Sequence, residues 1–76
     1  EFTVYPNPVQ NRLTLMYGSE VSSDAKVELY NAMGQLVYQS TLSQSKEIDF
    51  SRFIYGFYFV KVTSDGKSST KKIIKS

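Results

Sequence analysis

The chain has no cysteine and no histidine among its 76 residues. The first absence excludes a disulfide staple, and the two together exclude the usual zinc, haem and iron–sulfur ligand sets. A Ser-His-Asp or Cys-His relay cannot be drawn either, so hydrolysis through the familiar activated nucleophiles is excluded. No apolar run approaches the length of a membrane span, and no charged-then-apolar leader opens the sequence. There is no GxSxG elbow, no phosphate-cradling glycine loop and no DxDxDG-like calcium loop. Composition therefore points away from an enzyme and away from any cofactor.

What remains is the composition of a folded protein. At 41% hydrophobic and 21% charged residues the chain is globular rather than disordered. Its length suffices for one small core and no second one, so residues 1–76 read as a single domain, a module of some longer protein. A cysteine-free composition is compatible with periplasmic or extracellular life. The formal net charge is +2, but seven of the nine basic residues fall after residue 38, and Lys71, Lys72 and Lys75 lie within the last six positions. Three terminal lysines are too few and too local for the phosphate-tracking footprint of a nucleic-acid binder. They suit a solvated edge strand.

Hydrophobic periodicity is almost everywhere two. Gly56 to Thr63 is rich in aromatic and β-branched residues and alternates so that Tyr58, Val60 and Val62 share one face. Ser64-Asp65-Gly66-Lys67 follows as a hairpin turn, and Ser69 to Lys75 returns as the antiparallel partner. Arg12 to Met16 places Leu13 and Leu15 inward, and Lys26 to Tyr30 does the same with Val27 and Leu29. The turn Asn31-Ala32-Met33-Gly34 leads into Leu36 to Gln39, making a second hairpin. Ala25, Leu29, Ala32, Met33 and Leu36 also match helical spacing, but Gly34 interrupts that stripe and both flanks alternate with period two. Phe2 to Tyr5 is a short opening strand, ended where Pro6 and Pro8 remove ladder donors. Lys46 to Asp49 adds a strand with Ile48 inward, and Asp49 to Tyr55 forms a compact loop or single helical turn. Seven short strands separated by turn signals predict an all-β, two-sheet antiparallel sandwich.

Most eye-catching residues have a plain structural role. Tyr58, Phe2 and Phe50 are expected in the core, and Asp24, Glu28, Asp49 and Asp65 read as solvated acids. Phe57 and Phe59 alternate away from the core set, so either another segment covers them or they form an exposed apolar strip for a partner. Tyr5-Pro6-Asn7-Pro8 is a stiff turn. Lys71-Lys72-Ile73-Ile74-Lys75 is an edge strand that lysines guard against aggregation, or else a strand that a partner grasps by main-chain pairing.

Taken in order, Tyr5-Pro6-Asn7-Pro8, Leu13-Thr14-Leu15, Val27 to Tyr30 followed by Gly34 to Val37, Ile48-Asp49, Gly56 to Val62 and Lys71 to Lys75 form a set spanning the chain. The set resembles the type A C-terminal sorting domain of the type IX (Por) secretion system of Bacteroidetes. The family's motif positions fall on Tyr5, Pro6, Asn7, Pro8, Gly34, Gly56, Tyr58 and Val60 and on the closing Lys71 to Lys75. Phe57 and Phe59 are bulkier than the aliphatic residues usual there. The resemblance implies an immunoglobulin-like sandwich that ends a larger exported protein and folds in the periplasm. It implies recognition by the outer-membrane translocon, with later cleavage by a sortase-like peptidase and a cargo anchored at the cell surface or released. The domain is then a substrate and an address, not a catalyst. On this reading the recognised surface comprises Phe57, Phe59, Lys71, Lys72, Ile73, Ile74 and Lys75, with no membrane insertion. Exposed strand edges also leave a dimer or strand exchange open to the isolated domain. The alternative from another class is an adhesion or carbohydrate-binding sandwich, which three coplanar exposed aromatics would favour.

Overall fold

Two tight turns organise the larger sheet. Asp65 (φ 52°) and Gly66 (φ 77°) both sit in the left-handed region, the geometry of a two-residue turn whose twist matches its strands. They join β6 (Gly56–Ser64) to β7 (Lys67–Lys75), paired in unbroken register from Ser64 against Lys67 to Gly56 against Lys75. Gly34 (φ 83°) closes the turn between β3 (Ala25–Asn31) and β4 (Leu36–Leu42). A bulge between Leu29 and Tyr30 leaves Val37 as the extra residue on β4. The order is β4-β3-β6-β7, and a smaller sheet of order β1-β2-β5 is built from β1 (Phe2–Tyr5), β2 (Arg12–Tyr17) and β5 (Ser45–Asp49). Every named strand pair is antiparallel. The computed structural model describes residues 2–17, 25–42 and 44–76, and none of these is helical.

The sheets close face to face on the residues that alternation selects. Leu13 and Leu15 of β2, Ala25, Val27 and Leu29 of β3, Ile48 of β5 and Tyr58, Val60 and Val62 of β6 are buried, as are Phe2, Val9, Leu42, Phe50 and Ile73. The helical alternative for Ala25 to Leu36 gives way to period two: Ala25 and Leu29 are inside, while Ala32, Met33 and Leu36 are outside. β4 runs three residues past its expected end because Leu42, opposite Ala25, still has core to fill.

The prolines divide the opening strand between the two sheets. The Tyr5–Pro6 and Asn7–Pro8 peptides are cis. β1 pairs with β2, whereas Val9, three residues beyond Pro6, bridges in parallel to Lys75 at the edge of the other sheet. Val9 N donates to Ile74 O at 2.8 Å, and Ser76 N donates to Val9 O at 3.0 Å. Val9 itself is fully buried.

Candidate functional site

The outer face of the four-stranded sheet is apolar at one end and polar over the rest. Register places Leu36, Tyr30, Phe59 and Lys72 in one row across the four strands, with Phe57 and Ile74 side by side in the next row towards the turns. Gln39, Glu28, Lys61 and Thr70 follow on the other side, then Thr41, Lys26, Thr63 and Ser68. Phe57 is 47% exposed, Leu36 46% and Ile74 40%, while Tyr30 and Phe59 are half-buried. The question left open for Phe57 and Phe59 thus has a structural answer: Phe57 keeps about half its surface exposed with the Lys72 side chain over its ring, and Phe59 lies between Tyr30 and Lys72.

Two loops carry this apolar end past the sheet. In the first, Asn31 Oδ1 accepts from Met33 N at 3.0 Å and from Gln35 N at 2.9 Å, and Asn31 Nδ2 donates to Gln35 Oε1 at 2.9 Å. Gly34 N donates to Asn31 O at 2.9 Å, so the turn is fixed while Met33 stands 82% exposed at its tip. In the second, Asp49 Oδ1 accepts from Ser51 N at 2.9 Å and from Ser51 Oγ at 2.7 Å, and Phe53 N donates to Phe50 O at 3.0 Å. Phe50 is buried and meets both Phe53 and Tyr58 edge to face, at ring-centroid distances of 5.0 and 5.5 Å. Tyr58 Oη then donates to Ile54 O at 2.7 Å. This aromatic knot holds the loop so that Ile54 and Tyr55 project at 79% and 81% exposure. Met33, Ile54, Tyr55 and Phe57 rim a cleft of about 130 Å³ floored in part by Gly56 and Tyr58.

Exposed residues of this size are individually ordinary; here Met33, Ile54, Tyr55 and Phe57 line one cleft, on turns fixed by hydrogen bonds. Met33, Ile54 and Tyr55 were not selected by strand alternation, because they lie in turns where periodicity says nothing. The available signal was the placing of Met33, Ile54 and Tyr55 in turn segments, outside the alternating strands.

Electrostatics sharpen the edge of the patch. Lys72 Nζ lies 4.2 Å from the centroid of the Phe57 ring, and Lys71 Nζ lies 5.7 Å from that of Phe2. Burial, then the neighbouring Glu28 carboxylate, pushes the Tyr30 hydroxyl pKa up. The hydrogen bonds from the Ser51 hydroxyl and amide hold Asp49 below the usual carboxylate value, with Arg12 and Arg52 adding to the effect.

The closing strand differs from its expected form in two ways. Ile73 is fully buried and packs in the core, so it leaves the candidate surface. Four outward main-chain groups between Lys72 and Ser76 are already engaged: Asn7 Oδ1 accepts from Ile74 N at 3.0 Å, Asn7 Nδ2 reaches Lys72 O at 3.4 Å, and Val9 bonds Ile74 O and Ser76 N. Edge pairing by a partner at Lys71–Lys75 therefore requires Asn7 and Val9 to be displaced. Lys72 and Ile74 remain available through their side chains, and Lys71 and Lys75 are half-buried. Of the remaining motif positions, Pro6 and Pro8 end β1, Tyr5 Oη meets Met16 Sδ at 3.3 Å, Gly34 and Gly56 take positive φ, and Val60 is in the core.

A family profile described as the secretion system C-terminal sorting domain matches residues 3–76. Among solved structures, the chain is similar to a DUF3244 family protein with an immunoglobulin-like β-sandwich fold from Bacteroides vulgatus, at TM-score 0.82 and 22% identity. That alignment covers 99% of this chain and 84% of the other, and it establishes the fold as an immunoglobulin-like sandwich. No curated protein matches the chain.

Proposed function

This chain belongs to the secretion system C-terminal sorting domain family, and from that premise we propose that it acts as a folded address read through its exposed apolar surface. Membership carries the coarse function: a C-terminal sorting signal for type IX secretion, directing attached protein across the outer membrane to the cell surface or beyond. The sorting-signal family and the small all-β fold support reading it as a non-catalytic module.

In the proposed mechanism the domain folds in the periplasm at the end of its cargo and docks on a component of the outer-membrane translocon. Phe57, Phe59 and Ile74 supply the sheet portion of the contact, and Met33, Ile54 and Tyr55 supply the loop portion. Apolar burial at the centre gives affinity, and Lys72 at the rim sets orientation. A sortase-like peptidase then separates the address from the cargo, which is anchored or released. Support comes chiefly from the family match over residues 3–76. The contiguity of the apolar residues and the hydrogen-bonded rigidity of the loops that carry them support the choice of surface.

The test is a fusion of residues 1–76 behind a periplasmic reporter in a host that carries the translocon. The proposal expects the reporter outside the cell, and outside only when the translocon is intact. Retention of the folded fusion in the periplasm of the competent host would contradict it.

A further inference from the structure

The four strand edges of the sandwich are not equally defended. β7 carries Lys67, Lys71, Lys72 and Lys75 and is capped over its last residues by Asn7 and Val9. β1 is four residues long and stops at Pro6. β5 carries Lys46, Glu47 and Asp49 within five residues. β4, the other edge of the larger sheet, reads Leu36-Val37-Tyr38-Gln39-Ser40-Thr41-Leu42. It holds no charge, no proline and no glycine over seven residues, and Val37, Tyr38 and Thr41 favour β structure. Among the described residues, no strand or loop backbone pairs with its outer edge. A long neutral edge of this kind is a template for another strand.

We propose that β4 is a self-pairing edge, at which two copies of this chain join antiparallel about a two-fold axis to make one continuous eight-stranded sheet. The choice of occupant rests on charge. An antiparallel pair of β4 strands centred near Gln39 or Ser40 brings only neutral residues into opposition. The same operation on β7 sets Lys71 against itself and Lys67 against Lys75, and on β5 it sets Glu47 against itself. Like charges directly opposed destabilise a strand pair. Regular pairing from Tyr38 to Leu42 also keeps Gln39 and Thr41 on the outer face and Tyr38, Ser40 and Leu42 towards the core, so neither sheet face is inverted. A contact of this length is small by the standard of stable interfaces, which makes the dimer a weak one that forms at high local concentration.

Sedimentation equilibrium on the chain tests the pairing, with Gln39→Lys/Thr41→Lys and Gln39→Glu/Thr41→Glu as paired double variants. Both positions are exposed on the outer face, and circular dichroism checks that each variant folds. The expected result is concentration-dependent dimerisation of the parent chain and its loss in either variant alone. An equimolar mixture of the two should dimerise again, more tightly than the parent. A parent chain that stays monomeric at the highest attainable concentration overturns the proposal. So does a dimer that survives the double-lysine change, or one that is lost on Phe57→Ser instead.

Discussion

Tyr58 links the core to the exposed surface. Its ring is buried between Phe50 and Phe53, and its hydroxyl donates to Ile54 O, one residue before Tyr55. Tyr58→Ala should cost about 3–5 kcal/mol, as loss of a buried aromatic does. Tyr58→Phe keeps the packing and removes one hydrogen bond, a loss of about 1 kcal/mol measurable by urea titration. Burial raises the Tyr58 pKa above its ordinary value of 10.0. Its contribution is therefore complete below pH 10 and is lost as pH rises through the folded-state pKa. Tyr58→Phe should flatten that alkaline fall. Asp49 behaves in the opposite sense: its lowered pKa makes its contribution complete above the ordinary carboxylate value of 3.8 and lost as pH drops through the folded-state value. Acid titration of Asp49→Asn should lack that slope, and an unchanged slope would remove Asp49 as its origin. Alternation alone placed Tyr58 inside. It could not show where the hydroxyl went, because the acceptor lies in a loop whose shape depends on Phe50 and Phe53 meeting in the core.

Among the strands, the informative one is β7, whose first half is an open edge and whose second half is closed by a segment some 65 residues earlier in the chain. Removing Lys71 to Ser76 would take Ile73 out of the core along with the basic residues, so loss of export after such a truncation would not identify a docking strand. A single change is cleaner. Asn7→Ala should speed hydrogen exchange at the Ile74 amide and lower stability by about 1 kcal/mol, with β3 amides following only the global change. Unchanged Ile74 exchange would show that Val9 alone holds the edge. Strand identities were legible, and so were the inward faces of β2, β3, β5 and β6, because apolar period two survives in those strands. The closure of the edge was not, since a contact between Asn7 and Ile74 leaves no periodic trace, and YPNP read locally is only a turn. The same limit hid Ile73: a strand read without its sheet partner does not reveal that Tyr58 lies opposite it and draws it inside.

For the molecule as a whole, a radius of gyration of 11.6 Å matches the roughly 11 Å expected of a compact chain this long. So small a core, without disulfides, leaves little stability to spare, and a polar outer face would be the safer choice for folding alone. Apolar residues are nonetheless gathered at one end, on turns fixed by Asn31, Asp49 and Tyr58. In the proposed mechanism this folded surface, rather than the terminal sequence as such, is what the translocon reads. The direct measurement is export of the reporter fusion carrying Ile54→Ser, Tyr55→Ser and Phe57→Ser, beside a control carrying Gln39→Ser and Thr70→Ser on the polar rows of the same face. The prediction is that both fold, that the control reaches the outside like the parent, and that the triple variant stays in the periplasm. Export of the triple variant at the parent's level would contradict the account.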